Sequence, residues 1–341
     1  MAQIRRRLRD PNLRFESFQV GRRSKLALVI VYIDGIIHPE LVEEVRRRIQ
    51  SIDMDDVPES GIIEQWIEDS FMSPFPQLLN TERPDKATSA LTQGKIVILL
   101  DGTPFVLIAP IVFANLIQSP EDYYERFPIG TFLRILRPTA AFFSVFLPGL
   151  YVSLVEFHQG MIPTKLALSI AATREGVPFP AIVEVLLMEA TMELLREAGV
   201  RLPKPLGQTI GIVGGLVIGE AAVSAGIVSP IMVIVVAITA ISSFAIPSYS
   251  LTISFRLLRF LVIASASVFG FFGIVLTFIC INIHVANLRS FGVSYSTLFA
   301  PVFIDDLKDL VFRAPIRMLN RRPIYMKTKN KYRQGNREGP A

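Results

Sequence analysis

Four glutamates in the second half of the chain are the side chains best placed to do chemistry. Glu189, Glu193 and Glu197 recur every four residues, a spacing that puts them along one face of a helix. Glu220 lies in an apolar segment, where an ionised carboxylate is costly unless it is paired or meets water. Repeated around a symmetric oligomer, each acid would form a ring that concentrates cations and repels anions. The pattern therefore makes all four glutamates candidates for a cation pore or its gate.

A structural role is the alternative for the same residues. The first three could form the solvated face of an interfacial helix, with Arg196 or Arg201 as partners. Glu220 could form a structural ion pair with Arg256 or Arg259. The sequence leaves both alternatives open.

Patterns typical of enzymes and metal sites are missing from the sequence. It contains no glycine-rich phosphate loop, no G-x-S-x-G elbow and no H-E-x-x-H helix. The single cysteine, Cys280, and three scattered histidines do not make a ligand set for a metal ion. We therefore expect no enzymatic activity, no cofactor and no metal site.

The glutamates must be positioned by a membrane domain. Between residues 206 and 288, the only Asp, Glu, Lys or Arg residues are Glu220, Arg256 and Arg259, too few to cover a water-soluble surface. A helix needs about 20 apolar residues to cross the hydrocarbon core of a bilayer. This criterion predicts a membrane domain over 133–290, with spans near 138–156, 206–223, 228–246 and 260–283.

The segment 162–198 fits neither a lipid-facing span nor a loop, because its helical pattern carries acids on one face and apolar residues on another. Four spans place both chain ends in the cytoplasm, which suits the basic tail, but they leave several arginines on the outer side. A fifth crossing would reverse that pattern, and the charge distribution does not decide between the two. We expect four full spans, with 162–198 as a re-entrant or interfacial segment.

Three glycines in the predicted span 206–223 indicate close helix packing. Gly211, Gly215 and Gly219 form two overlapping G-x-x-x-G patterns on one face, where the lack of side chains lets another backbone approach. The partner helix could belong to the same subunit or to a neighbouring one. The motif does not distinguish these cases.

The first 132 residues carry charge throughout and predict a soluble domain. Residues 26–33 form a short, β-branched apolar run, which is typical of a buried strand. An amphipathic helix pattern begins at Pro39, and Asp101-Gly102 marks a hairpin between two apolar strands. The predicted fold class is therefore α+β in two parts, with a soluble α/β cytoplasmic domain at 1–132 followed by a multi-pass α-helical membrane domain.

Basic residues gather near both ends of the chain, whose net charge is +5. Basic segments that flank membrane spans are first of all cytoplasmic anchors, and no nucleic-acid recognition fold accompanies them. No secretory signal opens the chain. We expect a cytoplasmic amino terminus, no nucleic-acid partner, and a C-terminal cytoplasmic segment at 291–341 that ends in a basic disordered tail.

Long motifs occur in a fixed order along the chain: GRRS (21–24), VY (31–32) before PELVEEV (39–45), SPFPQLLNTERPD (73–85), DGTPF (101–105), SPEDYYERF (119–127), REGVPFPA (174–181), LREAGVRLP (195–203) and GLVIGEAAVSAGIVSP (215–230). Together they resemble the A subunits of the GerA-type spore germination receptors. The resemblance extends from about residue 14 to residue 320.

The resemblance implies a multi-pass protein of the inner membrane of bacterial endospores. Family members work with a transporter-like B subunit, which senses the nutrient, and with a C subunit, which is a lipoprotein. The A subunit is expected to form a homo-oligomer, a ring of five, whose membrane part conducts cations when the germinant binds. A related branch accompanies the stage-V sporulation machinery that releases dipicolinic acid, and the motifs do not separate the two branches.

Two functions from different classes follow from these observations. In the first, the chain is the conducting subunit of a nutrient-gated cation channel. In the second, it is a non-conducting membrane scaffold for the other germination proteins. A transporter is disfavoured because the spans show no repeated half.

Family members commonly carry a further soluble portion ahead of the segment that matches Gly21 to Ser24. Only 20 residues precede that segment here. We expect residues 1–132 to be the second half of a larger family domain. Either the gene start is assigned too late, or this chain is a shortened member of the family.

Overall fold

The computed structural model describes residues 1–203, 214–215, 217–297, 304–310 and 312–334. The chain divides into two units. We call Met1–Pro138, Pro247–Leu251 and Asn282–Ala341 the sheet unit, and Thr139–Ile246 and Thr252–Ile281 the helical unit.

The sheet unit is built on five antiparallel strands in the order β1-β2-β4-β5-β3. The strands are β1 (Leu13–Val20), β2 (Leu26–Ile33), β3 (Leu79–Thr81), β4 (Ile96–Leu100) and β5 (Val106–Ala109). The helices around them are α1 (Ala2–Arg7), α2 (Pro39–Gln50), α3 (Ser60–Ile67), α4 (Pro84–Thr92), α5 (Phe113–Ile117) and α6 (Glu121–Tyr124). Strands β4 and β5 form the hairpin predicted at Asp101-Gly102.

The core of the sheet unit follows from the alternation of side chains along its strands. Leu28 and Ile30 point to one face of β2 and belong to the same buried cluster as Val45 of α2 and Ile63 of α3. Burying each such side chain contributes about 1.5–3 kcal/mol. The apolar face of α2 therefore packs in the same core as β2, the strand that the sequence predicts most clearly.

The C-terminal part of the chain completes this unit. It contains β6 (Arg289–Ser290), β7 (Val293–Ser294) and α13 (Ile304–Leu310). Phe291, Tyr325 and Met326 lie in the buried cluster of the sheet. Residues 335–341, which include much of the predicted basic tail, lie outside the described residues.

The helical unit contains α8 (Thr164–Arg174), α9 (Ala181–Arg201), α10 (described at 214–215 and 217–224) and α11 (Pro230–Phe244), together with most of α7 (Phe127–Glu156) and of α12 (Tyr249–Asn287). Among the described residues, α7 and α12 are long and apolar enough to cross a membrane, and α11 is a shorter apolar helix. The predicted span 138–156 lies in α7, and the predicted span 228–246 contains α11. Much of the predicted span 206–223 lies outside the described residues.

Helix α12 is broken at Gly270, whose φ of 60° and ψ of −140° are not helical. Ser265 Oγ donates a hydrogen bond to the carbonyl oxygen of Gly273 at 2.9 Å, whereas eight residues of straight helix span about 12 Å. The chain therefore reverses at Gly270, and α12 is a hairpin with a first arm at 249–269 and a second arm at 271–287. The sequence predicts one crossing at 260–283; the structure places the reversal inside it, because glycine adopts a positive φ without steric cost.

Helix α7 runs parallel to the first arm. Near the start of the pair, the carbonyl oxygen of Ser144 accepts a hydrogen bond from Arg259. At the other end, a Cβ atom on Gly270 would lie 2.8 Å from Cε1 of His158, just beyond α7. The numbering rises in the same direction along both helices, and the second arm returns antiparallel to them.

Helix α10 runs antiparallel to α9. A Cβ atom on Gly214 would lie 2.9 Å from Cδ2 of Leu195, near the end of α9. A Cβ atom on Gly226, just after α10, would lie 3.2 Å from the carbonyl oxygen of Gly176, which precedes α9. Helices α9 and α10, which follow each other in the chain, therefore run in opposite directions.

Candidate functional site

Helix α9 carries the acidic face on which the sequence places three of its candidates. It begins after Pro180, and its first turn is capped by α7, because Glu156 Oε1 accepts a hydrogen bond from the Ile182 N–H at 3.0 Å. A carboxylate at this end offsets the positive end of the helix dipole.

Glu189 forms a buried ion pair with Arg259 of the first arm. Glu189 Oε2 lies 2.6 Å from Arg259 Nη1, and the two side chains are only 3% and 4% exposed. Arg259 Nε also donates to the carbonyl oxygen of Ser144 in α7 at 2.6 Å. Within the described residues, Glu189 Oε1 and Arg259 Nη2 have no hydrogen-bond partner. The pair therefore joins three helices at a polar point inside an apolar bundle.

Glu193 lies one turn further along α9 and binds two arginines. Its Oε1 accepts a hydrogen bond from Arg256 of the first arm, and its Oε2 accepts one from Arg196 at 2.9 Å. Since the numbering rises along α9 while it falls along the first arm, the two helices are antiparallel. We call the Glu189–Arg259 and Glu193–Arg256 pairs the α9–α12 ladder. The Glu193 side chain is 42% exposed, so the ladder opens to the surface of the helical unit at this end.

Glu184 is a further acid on α9 that the sequence analysis did not single out. Its side chain is fully buried and lies 3.0 Å from Nη2 of Arg174 in α8. Its Oε2 accepts a hydrogen bond from the Ser229 N–H at 2.8 Å, where α11 begins. Glu184 therefore holds three helices together. The sequence does carry a signal for this role, because Glu184 lies among apolar residues in the first half of α9. An acid buried in such a segment needs a partner.

The same contacts fix the direction of α11. Ser229 at its start faces Glu184 near the start of α9, and Phe244 at its end lies under the guanidinium of Arg196, 5.9 Å from the ring centroid. Helix α11 therefore runs parallel to α9.

Glu197 and Glu220 are exposed on the helical unit. Glu197 pairs with Arg201 one turn later at 2.6 Å, and the two side chains are 61% and 78% exposed. Glu220 lies on the exposed side of α10. The two arginines considered as partners of Glu220 both bind glutamates of α9. The structure thus separates the four candidates into two ladder acids and two surface acids.

The predicted glycine face lies partly on α10. Gly219 is buried, and a Cβ atom there would lie 3.6 Å from Cγ1 of Val233 in α11. A Cβ atom on Gly215 would meet no described atom within 4 Å. Gly211 lies outside the described residues. Among the described glycines of α10, Gly214 is the one whose Cβ atom would meet α9, and the motif does not include it.

Among the residues that the structure describes, no group of three or more His, Cys, Asp or Glu side chains could hold a metal ion. The chemistry that the helical unit offers is electrostatic. Exposed carboxylates attract cations, whereas the ladder acids are neutralised by arginines.

Comparison with known proteins places the whole chain in one sequence family. A family model described as Bacillus/Clostridium GerA spore germination protein matches residues 1–325. The chain is 57% identical over 327 residues to spore germination protein GerLA of Bacillus cereus, which covers 96% of this chain and 66% of the relative. It is 48% identical over 340 residues to spore germination protein KA of Bacillus subtilis (strain 168), covering 100% of this chain and 62% of the relative.

Other relatives give the same picture. Spore germination protein B1 of Bacillus subtilis (strain 168) is 45% identical over 333 residues, with 98% of this chain and 69% of the relative covered. The chain thus spans about two thirds of the length of the relatives it matches. A crystal structure of the N-terminal domain of the A subunit of the Bacillus megaterium spore germinant receptor GerK3 is 46% identical, covers 33% of this chain and 89% of that chain, and superposes with a TM-score of 0.27.

Proposed function

Because this chain belongs to the GerA family of spore germination proteins, we propose that it is the A subunit of a germinant receptor. The names of its relatives support a role in spore germination. In this proposal it lies in the spore inner membrane and works with a transporter-like B subunit and a lipoprotein C subunit. Nutrient recognition by the complex then triggers germination.

The helical unit is proposed to be a multi-pass membrane domain. Helices α7 and α12 supply the apolar length, and α9, which has 21 residues, reaches about 31 Å along the bundle. The alternating directions of α7, α9, α10, α11 and the two arms of α12 support six crossings. An even number keeps both chain ends on the cytoplasmic side, as four spans would. The antiparallel packing of α9 on the first arm favours a crossing for this helix over an interfacial position.

The membrane domain is further proposed to assemble into a ring of five that conducts monovalent cations. The observation that carries this proposal is the exposure of Glu197 and Glu220 on the helical unit. An acid on the surface of a membrane domain must meet water or another chain, because facing lipid is costly. In the ring these two acids line the water-filled path, where they attract cations and repel anions. The α9–α12 ladder holds the wall of that path in place.

A non-conducting scaffold for germination proteins is the second candidate. The ladder favours it, because two of the four acids are already neutralised by arginines. The two functions differ in whether ions pass through this subunit.

A flux measurement separates the two functions. The full chain is reconstituted with its B and C subunits in liposomes loaded with K⁺, and K⁺ release is followed after nutrient addition. A channel releases K⁺, and Glu197→Gln with Glu220→Gln slows the release by about tenfold or more, since the local cation concentration falls. Glu82→Gln, an exposed acid of the sheet unit, is the matched control and leaves the rate unchanged. If the subunit is a scaffold, the double variant leaves any K⁺ release from the liposomes unchanged, and spores carrying it germinate with normal ion release.

A further inference from the structure

Two adjoining cavities lie in the sheet unit. One has a volume of about 180 Å³ and the other about 330 Å³. Both are lined by Gln93, Asn115, Gln118 and Tyr123. The smaller cavity is large enough to admit several water molecules, and it also has Lys86 and Lys95 in its wall.

Lys95 is the unusual side chain of this cavity. The residue is 3% exposed, and its Nζ donates to Asn115 Oδ1 at 2.5 Å. An ammonium group has three donors and no acceptor. Among the described residues, the neutral Asn115 amide accepts the side-chain hydrogen bond of Nζ, and Lys95 forms no ion pair within 4.0 Å. Lys95 is therefore a buried amine with an incomplete set of partners.

The acids of the two cavities are bound elsewhere. In the smaller cavity, Asp85 accepts hydrogen bonds from Arg83 at 2.8 Å and from Tyr124 at 2.6 Å. In the larger cavity, Asp309 accepts one from the Tyr123 hydroxyl at 2.6 Å. In the same cavity, Asp306 Oδ2 accepts a hydrogen bond from the Ile324 N–H at 3.0 Å. Among the described residues, none of these three carboxylates forms an ion pair with Lys95.

The charged groups that act on Lys95 are themselves positive. Burial, followed by the charges of Lys86 and Arg333, lowers the pKa of Lys95 to about 7. A buried ammonium group is costly unless it is paired. The smaller cavity beside it offers the space in which an anion from solution would supply the missing charge.

We propose that the smaller cavity binds a compact oxyanion, a small carboxylate or a phosphate group, through the ammonium group of Lys95. Lys86 adds a second positive charge in the same wall, and the Asn115 amide orients the Lys95 ammonium. The site lies in the sheet unit and is independent of ion conduction. It gives the cytoplasmic part of the protein a place for a small anionic metabolite.

The test is direct binding to the full chain in lipid nanodiscs, measured by equilibrium dialysis with labelled inorganic phosphate and, separately, labelled acetate. The wild-type chain is expected to bind at least one of the two anions at one site. Lys95→Met lowers the affinity by at least tenfold, and Lys86→Gln lowers it less. Lys329→Gln removes one exposed positive charge and leaves the affinity unchanged.

A second variant tests the proposal if Lys95→Met fails to fold. Asn115→Asp conserves the shape of the amide and places a carboxylate on Lys95, so the folded variant is expected to lose anion binding. If the wild-type chain binds only one of the two anions, that anion identifies the kind of oxyanion. The proposal is overturned if neither anion binds the wild type, or if Lys95→Met and Asn115→Asp bind as tightly as Lys329→Gln.

Discussion

Glu189 and Arg259 face each other at 2.6 Å between α9 and α12, with both side chains sealed from solvent. Removing one partner of such a pair leaves the other charge buried alone, which costs about 3–5 kcal/mol. We expect Glu189→Gln to lower the free energy of unfolding in mixed micelles by about this amount. The double variant Glu189→Leu with Arg259→Met should lose less, because neither charge remains. Glu197→Gln, at an exposed pair, is the control and should lower the free energy of unfolding by less than about 1 kcal/mol. An equal loss of stability in Glu189→Gln and Glu197→Gln would refute the structural role of the ladder.

The reversal of α12 depends on Gly270. A side chain there would strain the backbone, because φ is 60°, and would press a Cβ atom to within 3.0 Å of Phe157 Cβ. We expect Gly270→Ala to lower the free energy of unfolding by about 1–3 kcal/mol. Gly160→Ala is the matched control, since a Cβ atom there meets no described atom within 4 Å. Unchanged stability of the Gly270 variant in the same micelles would show that the hairpin is not as described.

Gly214 and Gly215 distinguish packing within the chain from packing between chains. A side chain on Gly214 would run into Leu195 of α9, whereas Gly215 has open space around it among the described residues. We expect Gly214→Leu to destabilise the protomer. Gly215→Leu should leave the protomer stable and weaken the oligomer, if its face packs against a neighbouring subunit. Cross-linking and native mass spectrometry in nanodiscs measure the oligomer; full oligomerisation of Gly215→Leu would place the glycine face inside one subunit.

Glu64 makes the stability of the sheet unit depend on pH. Burial, followed by the charge of Glu68, raises the pKa of Glu64 to about 7 from an ordinary value of 4.5. Between those two values the folded protein binds more protons than the unfolded chain, so the free energy of unfolding falls as the pH rises through this window. Glu64→Gln should remove this contribution of Glu64 to the pH dependence of the free energy of unfolding. The variant should therefore have a higher thermal midpoint at pH 8 than the wild type.

The fluorescence of Trp66, the single tryptophan of the chain and a neighbour of Glu64 on α3, reports the transition. Glu82→Gln, at an exposed position, should leave the pH profile unchanged. The shifted pKa of Glu64 would be contradicted if the thermal midpoint of the wild type, compared with that of Glu64→Gln, did not decrease as the pH rises from 5 to 8.

Local patterns in the sequence predict much of the sheet unit. The apolar run at 26–33 is β2, and Pro39 opens α2 as expected, because short-range sterics and side-chain alternation decide these elements. The helix carrying Glu189, Glu193 and Glu197 is also where its spacing predicts. These features depend on neighbours within a few residues.

The remaining features depend on contacts between distant segments. Nothing in the spacing of α9 selects Arg259 as the partner of Glu189, since the pairing follows from the direction in which two helices pack. One glycine in an apolar run does not reveal the reversal at Gly270, because glycine is common in membrane helices. Likewise, Lys95 reads as the polar start of β4, and only the folded chain shows that it is buried.

The most direct test of the proposed conduction is the reversal potential of the reconstituted A, B and C subunits in a planar bilayer with a tenfold KCl gradient. Nutrient addition should open a current that reverses near the K⁺ equilibrium potential, and Glu197→Gln with Glu220→Gln should move the reversal toward zero, because the exposed acids select cations. A nutrient-dependent current that reverses at zero or near the chloride potential, or no current in a complex that supports germination, would contradict the account.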